Sequence, residues 1–196
     1  MKRLIAILLI TMLIAGSGLA QINKGIVAGV TLPNLSVDPE PEGSEFKNYQ
    51  GLVGGVFVEL DLLGPLDLQA EVLYAQKGAT FSMGDDEINA RLNYIVVPVM
   101  VKYKMPLVPT LGLNIQGGAY LGQKLGESWD PEIDTEEDVF ENSDMGAVIG
   151  AGVQFKALFG DLRVEVRYTM GFKNIGKEEG DTIKNNNMII LVGIGL

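Results

Sequence analysis

The chain has 196 residues and a formal charge of −10, and it contains no His and no Cys. That length suits one domain with a full core rather than two. The two missing residue types exclude zinc sites, disulfides, a lipid-bearing cysteine and any triad built on Cys or His. The acidic balance excludes a nucleic-acid partner, because it repels phosphates.

Residues 1–20 read as a secretory signal peptide. Lys2 and Arg3 precede an almost unbroken apolar run over 4–14, and Gly16-Ser17-Gly18-Leu19-Ala20 sets small residues before a cut after Ala20. The run is too short for a comfortable spanning helix, and no other stretch approaches the length a helical span requires. Losing Lys2 and Arg3, and no acid, takes the formal charge from −10 to −12. Residues 21–196 then form a single domain.

That domain alternates with period two. Weak alternation over 25–32 and 51–60 gives two strands. Over 66–77, Asp67, Gln69, Glu71 and Lys77 interleave with Leu66, Leu68, Ala70, Val72 and Tyr74. A fourth strand is expected over 92–104. A fifth, over 111–124, alternates Asn114, Gln116, Tyr120 and Lys124 with Leu113, Ile115, Ala119 and Leu121. A sixth lies over 146–156. The seventh carries the strongest signal, with Arg163, Glu165, Arg167, Thr169 and Lys173 set between Leu162, Val164, Val166, Tyr168, Met170 and Phe172. An eighth closes the chain over 187–196. Such alternation is the mark of strands with two different faces.

The connections alternate too. Asp61-Leu62-Leu63-Gly64-Pro65, Met105-Pro106-Leu107-Val108-Pro109 and Ala157-Leu158-Phe159-Gly160-Asp161 are short Gly- or Pro-marked turns. The connections over 33–50, 81–90, 125–145 and 174–186 are longer and more polar. Short turns at one end and long loops at the other predict an all-β fold: an eight-stranded antiparallel up-and-down transmembrane β-barrel in the outer membrane, following a cleaved signal peptide.

Period alone does not say which face meets which solvent. A soluble barrel of the lipocalin kind, binding a small apolar ligand, would turn its charges outward. Three features favour lipid outside. Several apolar faces approach the length of a tilted span. The polar faces carry both signs, as a self-pairing interior requires. Gly112, Gly118, Gly122, Gly150, Gly152, Gly193 and Gly195 fall on the inner parity, where a narrow barrel is crowded.

Glu59, Glu71, Lys102, Arg163, Glu165 and Arg167 are therefore the expected lumen charges. Eight strands leave room for side chains and little more, so a mixed set of charges should pair and fill the lumen rather than conduct ions. Asp130, Glu132, Asp134 and Glu141 fall at positions 1, 3, 5 and 12 of a calcium-loop spacing. Thr135 stands where the sharp-turn Gly belongs and Pro131 stiffens the start, so a solvated acidic loop is the alternative. Trp129 is the single Trp, read in that loop, where it packs on the loop itself or meets an interface. No cofactor is expected. An enzyme is disfavoured because His, the leading acid–base residue, is absent.

The domain resembles the PorT-type outer-membrane β-barrel family of Bacteroidetes, often called porin-like. Asn93-Tyr94-Ile95-Val96-Val97-Pro98-Val99-Met100-Val101-Lys102-Tyr103 is similar to its Pro-containing strand, with Val96 where the family usually has Glu. Asp144-Met145-Gly146 and Gly150-Ala151-Gly152-Val153 resemble its Gly-rich strand. The segment Val164-Glu165-Val166-Arg167-Tyr168-Thr169-Met170-Gly171-Phe172-Lys173-Asn174-Ile175 resembles the strand that follows. Residues 187–196 resemble its closing strand, ending in Leu196 where an aromatic is common. The resemblance implies an outer-membrane barrel in contact with lipid and with the insertion machinery. For some members it implies a link to secretion or gliding. The long acidic outer loops are themselves the expected place for a protein partner.

Overall fold

The computed structural model describes residues 22–38, 45–47, 50–83, 86–130, 141–158, 160–175 and 182–196. The expected signal peptide, 1–20, lies outside them. The strands are β1 (Ile22–Asp38), β2 (Glu45–Lys47), β3 (Gly51–Asp61), β4 (Leu66–Met83), β5 (Asp86–Val108), β6 (Leu111–Asp130), β7 (Ser143–Ala157), β8 (Gly160–Gly171) and β9 (Thr182–Gly195). Eight of them form a closed antiparallel ring in the order β3-β1-β9-β8-β7-β6-β5-β4, with β4 paired back to β3. The first and last staves meet along a register that runs from Gly25↔Gly195 to Asp38↔Thr182. Closure removes the open edges that a flat sheet would expose. The short β2 is no stave of its own. It extends the β3 side of β4, with Phe46 opposite Phe81.

The alternation settles which face looks outward. Val164 and Val166 are 42 % and 48 % exposed, whereas Arg163, Glu165 and Arg167 between and beside them are 1 %, 0 % and 2 % exposed. The same division holds elsewhere in the ring. Ile26, Val56, Val101, Ile115, Ile149 and Val192 lie on the outer surface, and Glu59, Glu71, Lys102, Asn114 and Asn187 are buried inside. A soluble ligand-binding barrel has the opposite polarity. Tyr74, Tyr103, Tyr168 and Phe172 stand outside with the aliphatic residues, while Tyr120 is buried in the interior.

At the short-turn end, Gly64 adopts φ of +61°, a left-handed conformation that side chains with a Cβ resist. Leu62 N–H donates to Leu66 O there at 2.9 Å. The expected turn over 105–109 sits later than predicted. β5 continues to Val108, with a register irregularity between Pro106 and Val108, and the chain turns at Pro109 and Thr110. A proline that cannot donate to the ladder is accommodated at such an irregularity.

At the other end the strands outrun the predicted ones. β4 and β5 stay paired up to Met83↔Asp86, β6 reaches Asp130, and β9 begins at Thr182. Much of what reads as long loop is therefore paired strand. Backbone pairing continues there well past the ends expected at Lys77 and Leu92. Trp129 accordingly lies on β6, opposite Ala90, rather than in a loop.

Candidate functional site: a charge network across the lumen

The six expected lumen charges come from β3, β4, β5 and β8, and the structure brings all of them into one network. β8 lies opposite β4, four places away in either direction around the ring. Arg167 on β8 reaches Glu71 on β4 with both terminal nitrogens, Nη1 to Oε2 at 2.6 Å and Nη2 to Oε1 at 2.8 Å. This planar fork is the geometry that Arg brings to a carboxylate. Arg167 Nε also donates to Glu165 Oε2 at 3.1 Å, and its Nη2 donates to the same oxygen.

Glu165 links this pair to the others. Lys102 Nζ lies 2.8 Å from Glu59 Oε2 and 3.3 Å from Glu165 Oε1. Arg163 Nη1 donates to Glu59 Oε2 at 3.2 Å and to Gln69 Oε1 at 3.0 Å. Gln116 Nε2 donates to Glu165 Oε2 at 3.0 Å, and Gln69 donates to Glu71. Three carboxylates and three cations thus balance one another, all of them buried. Buried charges are tolerable only when paired and hydrogen-bonded in this way.

The inner face is not ionic throughout. On the loop side of the network lies an apolar layer that includes Val27, Val53, Phe57, Leu73, Val96 and Leu191. Phe57 joins the two, its ring centroid 3.8 Å from Arg163 Cζ. Val96, at the position where the resemblance has Glu, belongs to this layer. Above the layer is a second ionic contact that sequence reasoning missed. Lys77 Nζ lies 2.9 Å from Asp144 Oδ2, with both side chains almost fully buried. The ammonium sits 5.2 Å and 4.9 Å from the ring centroids of Tyr94 and Tyr120. Tyr120 Oη and Asn185 Nδ2 also donate to Asp144. Asp144 reads in sequence as the end of the acidic loop. The signal that could have placed it is its parity with Gly146 and Val148 on β7.

Only the two ends of the calcium-loop spacing, Asp130 and Glu141, fall among the described residues. Asp130 ends β6, opposite Asn89, while Glu132 and Asp134 lie outside the described residues. Glu141 takes an ion pair from Lys173 at 3.3 Å. No group of three or more metal-ligating acids is gathered among the described residues.

At the turn end the interior opens into a cavity of about 920 Å³, bordered by Asn23, Asp61, Lys104, Gln154 and Asp161 and reaching inward to Glu59. Lys104 holds Asp61 and Asp67 together there, at 3.1 Å and 2.7 Å.

Comparison with known proteins supports the architecture. Neisserial surface protein A superposes with a TM-score of 0.53 at 13 % identity, over 87 % of this chain and 96 % of that one. The outer membrane protein OprG of Pseudomonas aeruginosa superposes with a TM-score of 0.52 at 10 % identity, over 89 % and 94 %. At such identities the likeness concerns the fold. No curated protein matches the sequence. The profile of the outer membrane protein beta-barrel domain matches residues 19–176, most of the chain. The chain is thus a member of the outer membrane protein beta-barrel domain family.

Proposed function

We propose that this protein is a small outer-membrane barrel with a closed, non-conducting lumen, and that its role is structural or interactive rather than catalytic. The observation that carries the reading is the Arg167–Glu71 fork, which crosses the full width of the ring inside a charge-balanced, buried network. An ion following the axis would have to break that network and then cross the apolar layer. Neither step has a compensating site for the ion.

Lipid solvates the outer face in this reading, and the barrel-insertion machinery assembles it. The strands that rise beyond the wall, β4, β5 and β6, offer a surface for a protein partner. The finer likeness to the PorT-type, secretion-linked barrels belongs to the same proposal. It rests on the motifs around Val96, Gly150 and Arg167.

Planar-bilayer recording on the folded, heat-modifiable protein tests the reading. The expected result is no reproducible conductance above that of bilayers lacking protein. Stable unitary steps that persist in folded protein and vanish on heating would overturn it. A catalytic role would be revived by lipid hydrolysis that is lost in Glu165→Gln.

A further inference from the structure

We infer that the lumen is a one-ended chamber. Water and small hydrophilic solutes enter it from the short-turn end as far as the charge network, and nothing passes on to the loop end. This deepens the closed-lumen reading and rests on it.

The cavity of about 920 Å³ is bounded at its mouth by turn residues, among them Gly64, Pro109 and Gly160, and at its inner end by Glu59. Gly112 and Gly195 help to hold it open, standing on its wall with no side chain to fill it.

Deeper than the residues that line the cavity lie buried polar atoms with no hydrogen-bond partner among the described residues. They are both amide atoms of Asn114, Oε1 of Gln116, Oδ1 of Asp67, and Nε and Nη2 of Arg163. All four side chains are buried. Asn114 is opposite Lys104, Gln116 and Asp67 are both opposite Lys102, and Arg163 is opposite Gln154. Leaving such atoms unbonded forfeits the hydrogen bonds they make to water in the unfolded chain. Water is the guest that fits a polar, roomy site offering two to four partners. The cavity supplies the route by which it exchanges. A separate set of unsatisfied atoms, on Tyr94, Asn185 and Asn187, lies on the loop side of the apolar layer.

The native chain has no Cys, so single introduced thiols report cleanly. Gly112 and Gly122 both lie on β6. A Cβ at Gly112 would meet nothing closer than 3.5 Å, and one at Gly122 nothing closer than 3.4 Å. Gly112→Cys therefore places a thiol in the chamber, and Gly122→Cys places one beside Tyr94 and Asp144. Ser128→Cys, on the exposed loop end of β6, reports the opposite side.

Each variant is reconstituted in liposomes, and flotation confirms insertion before labelling. Protein that fails to float would defeat the membrane reading itself, separately from this inference. A permanently charged, membrane-impermeant thiol reagent is then added to one side at a time. Gly112→Cys is expected to react within about tenfold of the rate of Ser128→Cys, and only from the opposite side. Gly122→Cys is expected to react slower by about a hundredfold or more until the barrel is unfolded. Gln154→Cys and Val148→Cys repeat the comparison on β7 should either glycine variant fail to fold. Labelling of Gly112→Cys from both sides, or from neither, would overturn the inference. So would fast labelling of Gly122→Cys in the folded barrel.

Discussion

Gly152 on β7 lies directly across the ladder from Glu165 on β8, and a Cβ on Gly152 would stand 2.7 Å from Glu165 Cγ. The arrangement recurs twice. Gly150 faces Arg167, with 2.8 Å from its added Cβ to Arg167 Cγ, and Gly193 faces Arg163 at 2.9 Å. Each of the three charges on β8 thus occupies space that a cross-strand glycine leaves free. The wall and the network are fitted to one another.

Gly152→Ala is accordingly expected to destabilise the barrel by about 1–3 kcal/mol, the usual cost of overpacking. Gly117→Ala on the outer face is the control. Its Cβ would meet nothing closer than 3.8 Å, so a change within about 0.5 kcal/mol is expected. Urea titration of the barrel in lipid, scored by heat-modifiable migration, measures both. Equal losses at the two sites would disprove the fit.

Removing Arg167 leaves two buried carboxylates, Glu71 and Glu165, without their best donor. Arg167→Leu is expected to cost about 3–5 kcal/mol, as breaking one side of a buried pair does. Arg167→Leu combined with Glu71→Leu should recover part of that loss, giving a coupling of about 1 kcal/mol or more. Arg167→Lys keeps the charge but not the fork, and should fall between wild type and Arg167→Leu. Strictly additive losses in the double variant would show that the two groups do not depend on each other.

The parts legible in the sequence were those where charge and grease alternate without exception. Over 162–173 every inward position but Gly171 is polar, so parity alone assigns Arg163, Glu165 and Arg167 to one face. Strand 66–77 yields Glu71 in the same way. The stretch from Leu92 to Met100 reads less clearly, because Leu92, Tyr94 and Val96 inside alternate with Ile95 and Val97 in a run that is apolar on both faces. The apolar layer was hidden in that run. Asp144 was hidden differently, at the end of a row of acids whose charge masks its parity. The pairing of Arg167 with Glu71 depends on how the ring closes, which no local pattern encodes. The strand ends near Met83 and Asp86 were lost because Gly84-Asp85-Asp86 reads as a turn-rich polar loop, although Ala79-Thr80-Phe81-Ser82-Met83 before it keeps period two.

Salt should separate the buried pairs from the surface ones. At about 1 M salt the screening length falls to about 3 Å, yet screening requires ions to come near the charges. The Arg167–Glu71 coupling, measured by the same cycle, is therefore expected to be unchanged in high salt. The Lys173–Glu141 pair has side chains 36 % and 40 % exposed. Its coupling should start below about 1 kcal/mol and fade as salt rises. A network coupling that collapsed with salt would mean that ions reach the fork.

The Lys77–Asp144 pair offers the sharpest contrast between breaking an ion pair and replacing it. Lys77→Met preserves length and packing against Tyr94 and Tyr120, but takes the cation from Asp144 and leaves it the neutral donors Tyr120 and Asn185. About 3–5 kcal/mol should be lost, because a buried carboxylate then keeps its desolvation cost without its cation. In Lys77→Met with Asp144→Leu the charge is gone, and the new side chains adjoin Tyr94 and Tyr120, where apolar neighbours can accept them. The double variant is expected to regain most of the loss, since replacing a buried pair by apolar residues is often neutral or favourable. Urea midpoints of the four proteins decide the matter. If the double variant were no more stable than Lys77→Met, the pair would be positioning the top of β7 rather than merely neutralising a buried charge, and its net contribution to the seal would be positive.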